Sequence, residues 1–330
     1  MLLSRLFSRD TPTEPTLGLV TDEWLDSLST GVKRSTHSIY SAIAAKYIPC
    51  GLRSKPISSV TAGDIQQLLY EAEHPPRREA LSVSRMHTIC TVISSILDFA
   101  REKGLDAVSC HPTQRCSGAA RQEINPLAPD EQRALERWLL GNMDENSLGV
   151  MICLYTGLRL GEICAMKWGD ISFPDKSLRV RRTVQRIKIQ DAGPGEPKTR
   201  LVFDSPKSAC ANRMIPVPDF LLELMEPLRG ADEAFILTGE VGKCLDPRTF
   251  QNRFCVMLRN AGVRKVNFHT LRHTFATNCI NLGCDPKMLC EILGHADVGI
   301  TLNIYVHPSV PAKRELIERL SSQVRQPTSQ

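Results

Sequence analysis

The spacing of apolar residues separates an early part of the chain with a purely helical period from a later part that also contains strands. Between residues 16 and 106 apolar positions recur at helical spacing, without the alternation typical of strands. Thr61 is a suitable N-cap and Gly104 a suitable helix end. The pattern predicts an all-α domain of four helices, at Leu17–Leu28, Ser35–Tyr47, Ala62–Glu73 and Leu81–Lys103.

The later part combines helices with alternating segments that are typical of a half-exposed antiparallel sheet. Its predicted helices are Pro129–Leu140, Leu148–Tyr155, Asp219–Leu228, Asp246–Asn260 and Ala312–Val324. Its predicted strands are Ser177–Ile187, Thr199–Asp204, Arg213–Val217 and a short edge strand, Ala234–Leu237. We therefore expect a mainly α protein with a small antiparallel β-sheet.

A length of 330 residues fits two domains rather than one. Residues 107–126 are rich in Ser, Gly, Pro, Cys and Arg and lack periodicity, which favours a linker. The predicted parts are a flexible tail (1–15), a helical domain (16–106), the linker (107–126) and a second domain (127–330).

Composition argues against a membrane or secreted protein. No apolar run approaches the roughly 18 residues that a membrane span needs, and the apolar stretch at the N-terminus is too short for a secretory signal. The 12 cysteines are scattered, mostly in apolar helical runs, which favours reduced thiols and a cytoplasmic location. Cys110, His111 and Cys116 lack a second Cys/His pair nearby, so we predict no metal site.

The segment from Arg179 to Arg213 is a basic stripe, which contains nine Lys and Arg residues and only three acidic residues. Such a stripe can neutralise the phosphates of a nucleic acid backbone, although the solvated face of a hairpin would have a similar composition. The predicted DNA-binding residues are Arg179, Arg181, Arg182, Arg186, Lys188, Lys198, Arg200 and Arg213.

The stretch from Phe268 to His307 carries side chains suited to chemistry on a phosphate. His269 and Arg272 are three residues apart, so a helix places them on one face. Leu293-Gly294-His295 and then Tyr305 follow. A guanidinium matches phosphate oxygens, and an imidazole can move a proton near neutral pH. A phenol, with a pKa of about 10, needs such neighbours to act as a nucleophile.

An arginine and a glutamate occur upstream, in the segment Thr156–Glu162. Arg159 lies among apolar residues, where a charge is costly unless it is paired or functional. Glu162, three residues on, is placed to hold this guanidinium or a neighbouring imidazole. Taken alone, the pair could also be structural, although a functional role is favoured.

Together these motifs resemble those of the tyrosine recombinases, the phage-integrase family of site-specific DNA recombinases. The matching elements are T-G-x-R-x-x-E at Thr156–Glu162, H-x-x-R-H-T-F-A from His269, L-G-H at Leu293–His295 and Y-x-H at Tyr305–His307. The resemblance implies an N-terminal helical (SAM-like) core-binding domain, which grips DNA from the face opposite an α+β catalytic domain.

The resemblance also implies roles for individual residues. Tyr305 would be the nucleophile, Arg159, Arg272 and His295 would stabilise the phosphate, His269 would be the base, and Glu162 would orient them. The family carries a catalytic lysine on a hairpin before an R-x-I-P strand, here Arg213–Pro216. Lys207 matches that position better than its rival, Lys198.

The implied activity is cleavage and rejoining of double-stranded DNA through a covalent 3′-phosphotyrosine, without metal, cofactor or ATP. The implied assembly is a homo-tetramer on two recombination sites, with the helix Ala312–Val324 docked on a neighbouring subunit. Accessory DNA-bending or directionality proteins are possible partners, in a bacterial cytosol. Open alternatives are a Xer-like dimer resolvase, a type IB topoisomerase and a DNA-binding regulator that does not cleave.

Overall fold

The computed structural model describes residues 14–29, 31–74, 81–109, 125–189, 193, 195–204, 212–295, 297–305, 314 and 317–318. Over these residues the chain is mainly helical, with few strands, so the predicted fold class is confirmed. The chain divides into two compact units. The first lies within Met1–Gln122 together with Ile187–Arg200, and the second within Glu123–Arg186 together with Leu201–Gln330.

The described residues of the first unit form helices, apart from those in Ile187–Arg200. These are α1 (Leu17–Leu28), α2 (Arg34–Tyr47), α3 (Cys50–Arg53), α4 (Ala62–Glu73) and α5 (Val83–Glu102). The hydroxyls of Thr16, Thr61 and Ser82 cap α1, α4 and α5. Apolar side chains from these helices form one buried cluster. The four predicted helices are confirmed, and the single-turn α3 was missed because its four residues are too few to show a period.

The helices of the second unit surround α7, which is buried on nearly every side. They are α6 (Pro129–Gly141), α7 (Glu145–Thr156), α8 (Leu160–Cys164), α9 (Asp219–Met225), α10 (Pro247–Asn260), α11 (His269–Asn281), α12 (Pro286–Leu293) and α13 (Val298–Tyr305). Helix α9 is shorter than predicted because Pro227 lacks an N–H group and the chain continues as a 3-10 turn.

Among the described residues, five strands form a three-stranded antiparallel sheet and a separate two-stranded sheet, which refines the small antiparallel sheet that we predicted. They are β1 (Ile171–Ser172), β2 (Ser177–Val180), β3 (Thr183–Lys188), β4 (Thr199–Asp204) and β5 (Arg213–Pro216). The antiparallel order is β1-β2-β5, and β3 pairs with β4. The predicted strand Ser177–Ile187 is broken at Arg181 and Arg182. The predicted edge strand Ala234–Leu237 is wrong, because this segment makes only two isolated bridges, one to Lys167 and one to Val241.

No described helix is long and apolar enough to cross a membrane. Several predictions fall mostly or wholly on residues outside the described ranges: the tail, the linker with its Cys110, His111 and Cys116, the helix Ala312–Val324, and Lys207. The predicted domain boundaries therefore stay predictions.

Candidate active site

The turn after α7 sets the position of the first candidate residue. Gly157 ends α7 in the left-handed conformation, with φ 64°. A Cβ atom at this position would lie 2.6 Å from Cδ1 of Phe275 and 2.7 Å from Cδ2 of Leu293. Glycine therefore allows both the turn and the close approach of α11 and α12, and Arg159 follows two residues later at the start of α8.

Arg159 is held by Glu162, as the sequence suggested. Its Nη1 donates to Oε1 of Glu162 at 2.8 Å, and its backbone N–H donates to Oε2 at 2.9 Å. The Arg159 side chain is 36% exposed, whereas that of Glu162 is 4% exposed. Burial alone would raise the pKa of Glu162, but its hydrogen bonds and the charges of Arg213 and Arg159 hold this pKa below its ordinary value. The carboxylate is thus charged and fixed.

Arg213 corrects one sequence prediction. It was expected to bind DNA from an exposed stripe, but it is only 7% exposed. Its Nη1 and Nη2 donate to Oε1 and Oε2 of Glu162 at 3.1 and 3.0 Å. A buried guanidinium engaged in this way is part of the interior and not of a DNA-facing surface. The alternation of β5 carried the signal, since Arg213 shares the buried face of that strand with Ile215.

Arg272 lies on α11 and is buried, with 1% of its surface exposed. Its Nη1 donates to the carbonyl oxygen of Gly157 at 2.8 Å, and its Nη2 donates to that of Leu293 at 2.7 Å. The guanidinium therefore joins the end of α7 to the end of α12.

Three consecutive carbonyl groups at the end of α12 each accept a hydrogen bond from a different arginine. Ile292 accepts from Nε of Arg213 at 2.5 Å, Leu293 from Arg272, and Gly294 from Nη2 of Arg159 at 3.2 Å. The last carbonyls of a helix lack partners within the helix and carry partial negative charge, so cations are favourable there. We call this group of three carbonyls the α12 terminus.

His295 follows directly after the α12 terminus. Its Nδ1 lies 2.8 Å from Oγ1 of Thr301, which is fully buried on α13. Burial first, and then the charges of Arg272, Arg159 and Arg213, lower the pKa of His295 to about 4. The ring is therefore neutral at neutral pH. Thr301 was not anticipated from sequence, where a threonine in a short helix carries no distinctive signal.

His269 stands at the first position of α11. Burial, followed by the nearby His273, Arg272 and Arg159, lowers its pKa to about 4. The rings of His269 and His273 pack edge to face, with their centroids 4.5 Å apart. A neutral imidazole can accept a proton, which is what a general base requires.

The side chains of two predicted catalytic residues are not among those that the structure describes. Tyr305 is the last residue of α13, and only its backbone is described. Lys207 lies in residues 205–211, which are not described. Among the described residues, no group of three or more His, Cys, Asp or Glu is arranged to hold a metal ion.

The other members of the basic stripe differ in their surroundings. Arg179, Lys198 and Arg200 are exposed. Arg182 pairs with the buried Asp170, and Arg186 pairs with Asp246. Arg181 lies 3.7 Å from Asp170 and is half exposed, and the side chain of Lys188 is not described. Some members of the stripe are therefore exposed, whereas others are engaged in ion pairs with acidic side chains.

The part of the chain that carries these residues matches a known protein family. Residues 127–311, more than half of the chain, match the phage integrase family. The chain belongs to the phage integrase family. This match spans α6 to α13 and thus contains every described residue of the candidate active site.

Members of the phage integrase family resemble this chain in sequence and in fold. A XerC-like tyrosine recombinase from Caldanaerobacter subterraneus subsp. tengcongensis is 29% identical over 215 residues, which cover 60% of this chain and 54% of that protein. The chain spans about half the length of the curated relatives that it matches.

The solved structures show likeness of fold. The Tn1549 transposon integrase in complex with a circular intermediate DNA has a TM-score of 0.74 at 20% identity, covering 93% of this chain and 100% of that chain. A lambda integrase tetramer bound to a Holliday junction has a TM-score of 0.62 at 19% identity, covering 89% and 78%.

Proposed function

We propose that this protein is a site-specific DNA recombinase, acting as an integrase that exchanges strands through a covalent 3′-phosphotyrosine. One observation carries the proposal. Arg159 and Arg272 bond to neighbouring carbonyls of the α12 terminus, His295 directly follows it, and α13 then ends at Tyr305. Membership of the phage integrase family supports the same activity.

In the proposed cleavage step, the phenol oxygen of Tyr305 attacks the scissile phosphorus and the bond from phosphorus to the 5′ oxygen breaks. His269, neutral at neutral pH, takes the proton from the phenol. The leaving 5′ oxygen receives a proton from Lys207, with Lys198 as the rival candidate. The 3′ phosphate remains joined to Tyr305, so the phosphodiester's energy is kept for rejoining and ATP is not needed.

The arginines and His295 stabilise the charge that grows on the non-bridging oxygens in the transition state. Arg159 is the accessible one of the two arginines, because its side chain is 36% exposed. Arg272 is buried, so its contact with a phosphate requires a change in its surroundings when DNA binds. Glu162 orients Arg159 through its hydrogen bonds to the side chain and the backbone N–H.

The proposed partner is double-stranded DNA carrying recombination sites, gripped by the helical domain and by the exposed part of the basic stripe. We further propose that four copies assemble on two duplexes in the bacterial cytoplasm. The lambda integrase tetramer on a Holliday junction supports this assembly through its similar fold. Accessory proteins that bend DNA or set direction belong to the same proposal.

A Xer-like dimer resolvase is the second candidate function, favoured by the resemblance to a XerC-like tyrosine recombinase. The chemistry would be the same, and the difference lies in the substrate. A resolvase exchanges two identical sites, whereas an integrase joins two sites that differ in sequence.

A plasmid assay separates these activities. Supercoiled plasmids would carry two identical sites, two different sites or no site, and would be incubated with the protein without ATP or Mg²⁺. Recombinant products from the pair of different sites would support the integrase. Products from identical sites alone would support the resolvase, and relaxation of the site-free plasmid would support a topoisomerase. Binding without cleavage or exchange would contradict a recombinase and favour a regulator.

A further inference from the structure

We infer that Arg213 is a positioning residue that fixes Glu162, and through it Arg159, against the α12 terminus. The inference rests on the proposed function and assigns to Arg213 no contact with DNA. It follows from three sets of contacts. Arg213 contacts Glu162, Arg213 also contacts the end of α12, and Arg159 contacts both Glu162 and the end of α12.

On the side of Glu162, the contact is a two-pronged ion pair between buried groups. Both terminal nitrogens of Arg213 donate to the two carboxylate oxygens, at 3.1 and 3.0 Å. The two side chains are 5% and 4% exposed. Parallel hydrogen bonds of this kind fix the plane of the carboxylate as well as its distance, and a single point charge cannot do this.

On the side of α12, a third nitrogen of the same guanidinium, Nε, donates to the carbonyl oxygen of Ile292 at 2.5 Å. The next two carbonyls along the chain hold Arg272 and Arg159, and His295 comes immediately after them. Because these groups are consecutive in the backbone, a shift of Ile292 moves the acceptors of both arginines.

Arg159 is the residue on which both sides act. Glu162 binds its side chain and its backbone N–H, while Gly294 accepts from its other terminal nitrogen. Arg159 is itself partly exposed, so it cannot hold the carboxylate as firmly as a buried partner does. Arg213 thus holds the carboxylate of Glu162 rigidly. Glu162 in turn holds the partly exposed guanidinium of Arg159.

The test compares Arg213→Lys and Arg213→Ala with the wild type and with Arg264→Ala. Arg213→Lys keeps a positive charge opposite Glu162 but loses the paired bonds and the bond to Ile292. Arg264→Ala is the control, because it removes an arginine of the same unit whose partners, Glu131, Asn125 and Pro126, are not residues of the candidate site. A suicide duplex with a nick beside the scissile phosphate traps the covalent product, and the yield is normalised to the protein that binds DNA.

We expect both Arg213 variants to bind the half-site with the affinity of the wild type. We expect their single-turnover rate of covalent capture to fall on the order of 100-fold, as small misplacements of catalytic groups produce. The control should cleave at the wild-type rate. Should Arg213→Ala fail to bind DNA, Arg213→Lys decides the matter, since it retains the charge.

Cleavage at the wild-type rate by the DNA-bound Arg213→Lys protein would overturn the inference and leave Arg213 with a role in stability alone. A wild-type protein that forms no covalent product would instead contradict the proposed function. The two failures are thus distinguishable within one experiment.

Discussion

At the scale of single residues, Arg272 has a structural role and a proposed chemical role. Its guanidinium satisfies two buried carbonyl groups, of Gly157 and Leu293, while its position beside Arg159 and His295 suits it to a phosphate. Its replacement must therefore affect both the free energy of unfolding and the rate of cleavage, in separable ways.

We predict that Arg272→Ala leaves half-site binding nearly unchanged while covalent capture falls by orders of magnitude, because the lost donor acts mainly in the transition state. We also expect the free energy of unfolding in urea to fall by about 1–3 kcal/mol for each carbonyl left unpaired. Arg264→Ala is again the control. Loss of binding and of cleavage by the same factor would contradict the assignment.

The lowered pKa values of two histidines predict that the free energy of unfolding depends on pH. The pKa values of His269 and His295 are lowered from 6.5 to about 4 in the folded chain. As pH falls below 6.5, the unfolded chain binds these protons first, so the free energy of unfolding decreases down to about pH 4. Urea unfolding at pH 7 and pH 5 should show a smaller decrease for the double variant His269→Asn plus His295→Asn. An equal decrease in both proteins would show that these rings do not cause it.

The residues of the site differ in how far the sequence could predict them. Arg159 and Glu162 are three positions apart on a helical turn, so their pairing is a local matter that spacing reveals. The partner of Arg213 lies 51 positions away, and only the folded chain brings β5 to α8. Without that contact, an arginine in a basic stretch reads as part of a DNA-binding surface.

At the scale of secondary structure elements, the junction of α7, α11 and α12 positions the site. Gly157 lies where all three meet, and its carbonyl oxygen is one of the acceptors of Arg272. A side chain at this point would press on Phe275 and Leu293 and so would move α11 and α12.

We predict that Gly157→Ala destabilises the protein more than Gly262→Ala does. Both glycines have positive φ values, 64° and 69°, so both variants suffer about 1–2 kcal/mol of backbone strain. A Cβ at Gly262 has no neighbour within 4 Å, whereas at Gly157 the clash adds about 1–3 kcal/mol. Thermal or urea unfolding measures the difference, and equal losses would argue against the close packing at this junction.

Helices were predicted more accurately than strand pairings. The bounds of α1 and α4 agree with the sequence prediction, since period and capping residues are local properties. The small antiparallel sheet was predicted correctly, but its division into β1-β2-β5 and β3-β4 was not, because pairing depends on distant segments, here β2 with β5. Arg181 and Arg182, which face Asp170, interrupt an apparently continuous alternation.

At the scale of the whole molecule, the proposed tetramer predicts an apolar docking surface on the helix Ala312–Val324. Most of this helix lies outside the described residues, although Ile317 is exposed. We predict that Leu316→Asp plus Leu320→Asp weakens assembly of the paired complex more than binding to one half-site. Ser322→Asp, which adds a negative charge on the side of the predicted helix away from the apolar stripe, is the control. Native gels with half-site and full-site duplexes distinguish the two effects, and an unchanged tetramer would count against docking.

The central claim is that Tyr305 attacks DNA and stays attached to it. The most direct measurement is covalent capture from a library of nicked duplexes, followed by denaturation and sequencing of the DNA that remains bound to protein, with Tyr305→Phe treated in parallel. The account predicts adducts at a defined sequence with the wild type and none with Tyr305→Phe, although both bind DNA. Adducts formed equally by both proteins, or by neither despite clear binding, would contradict it.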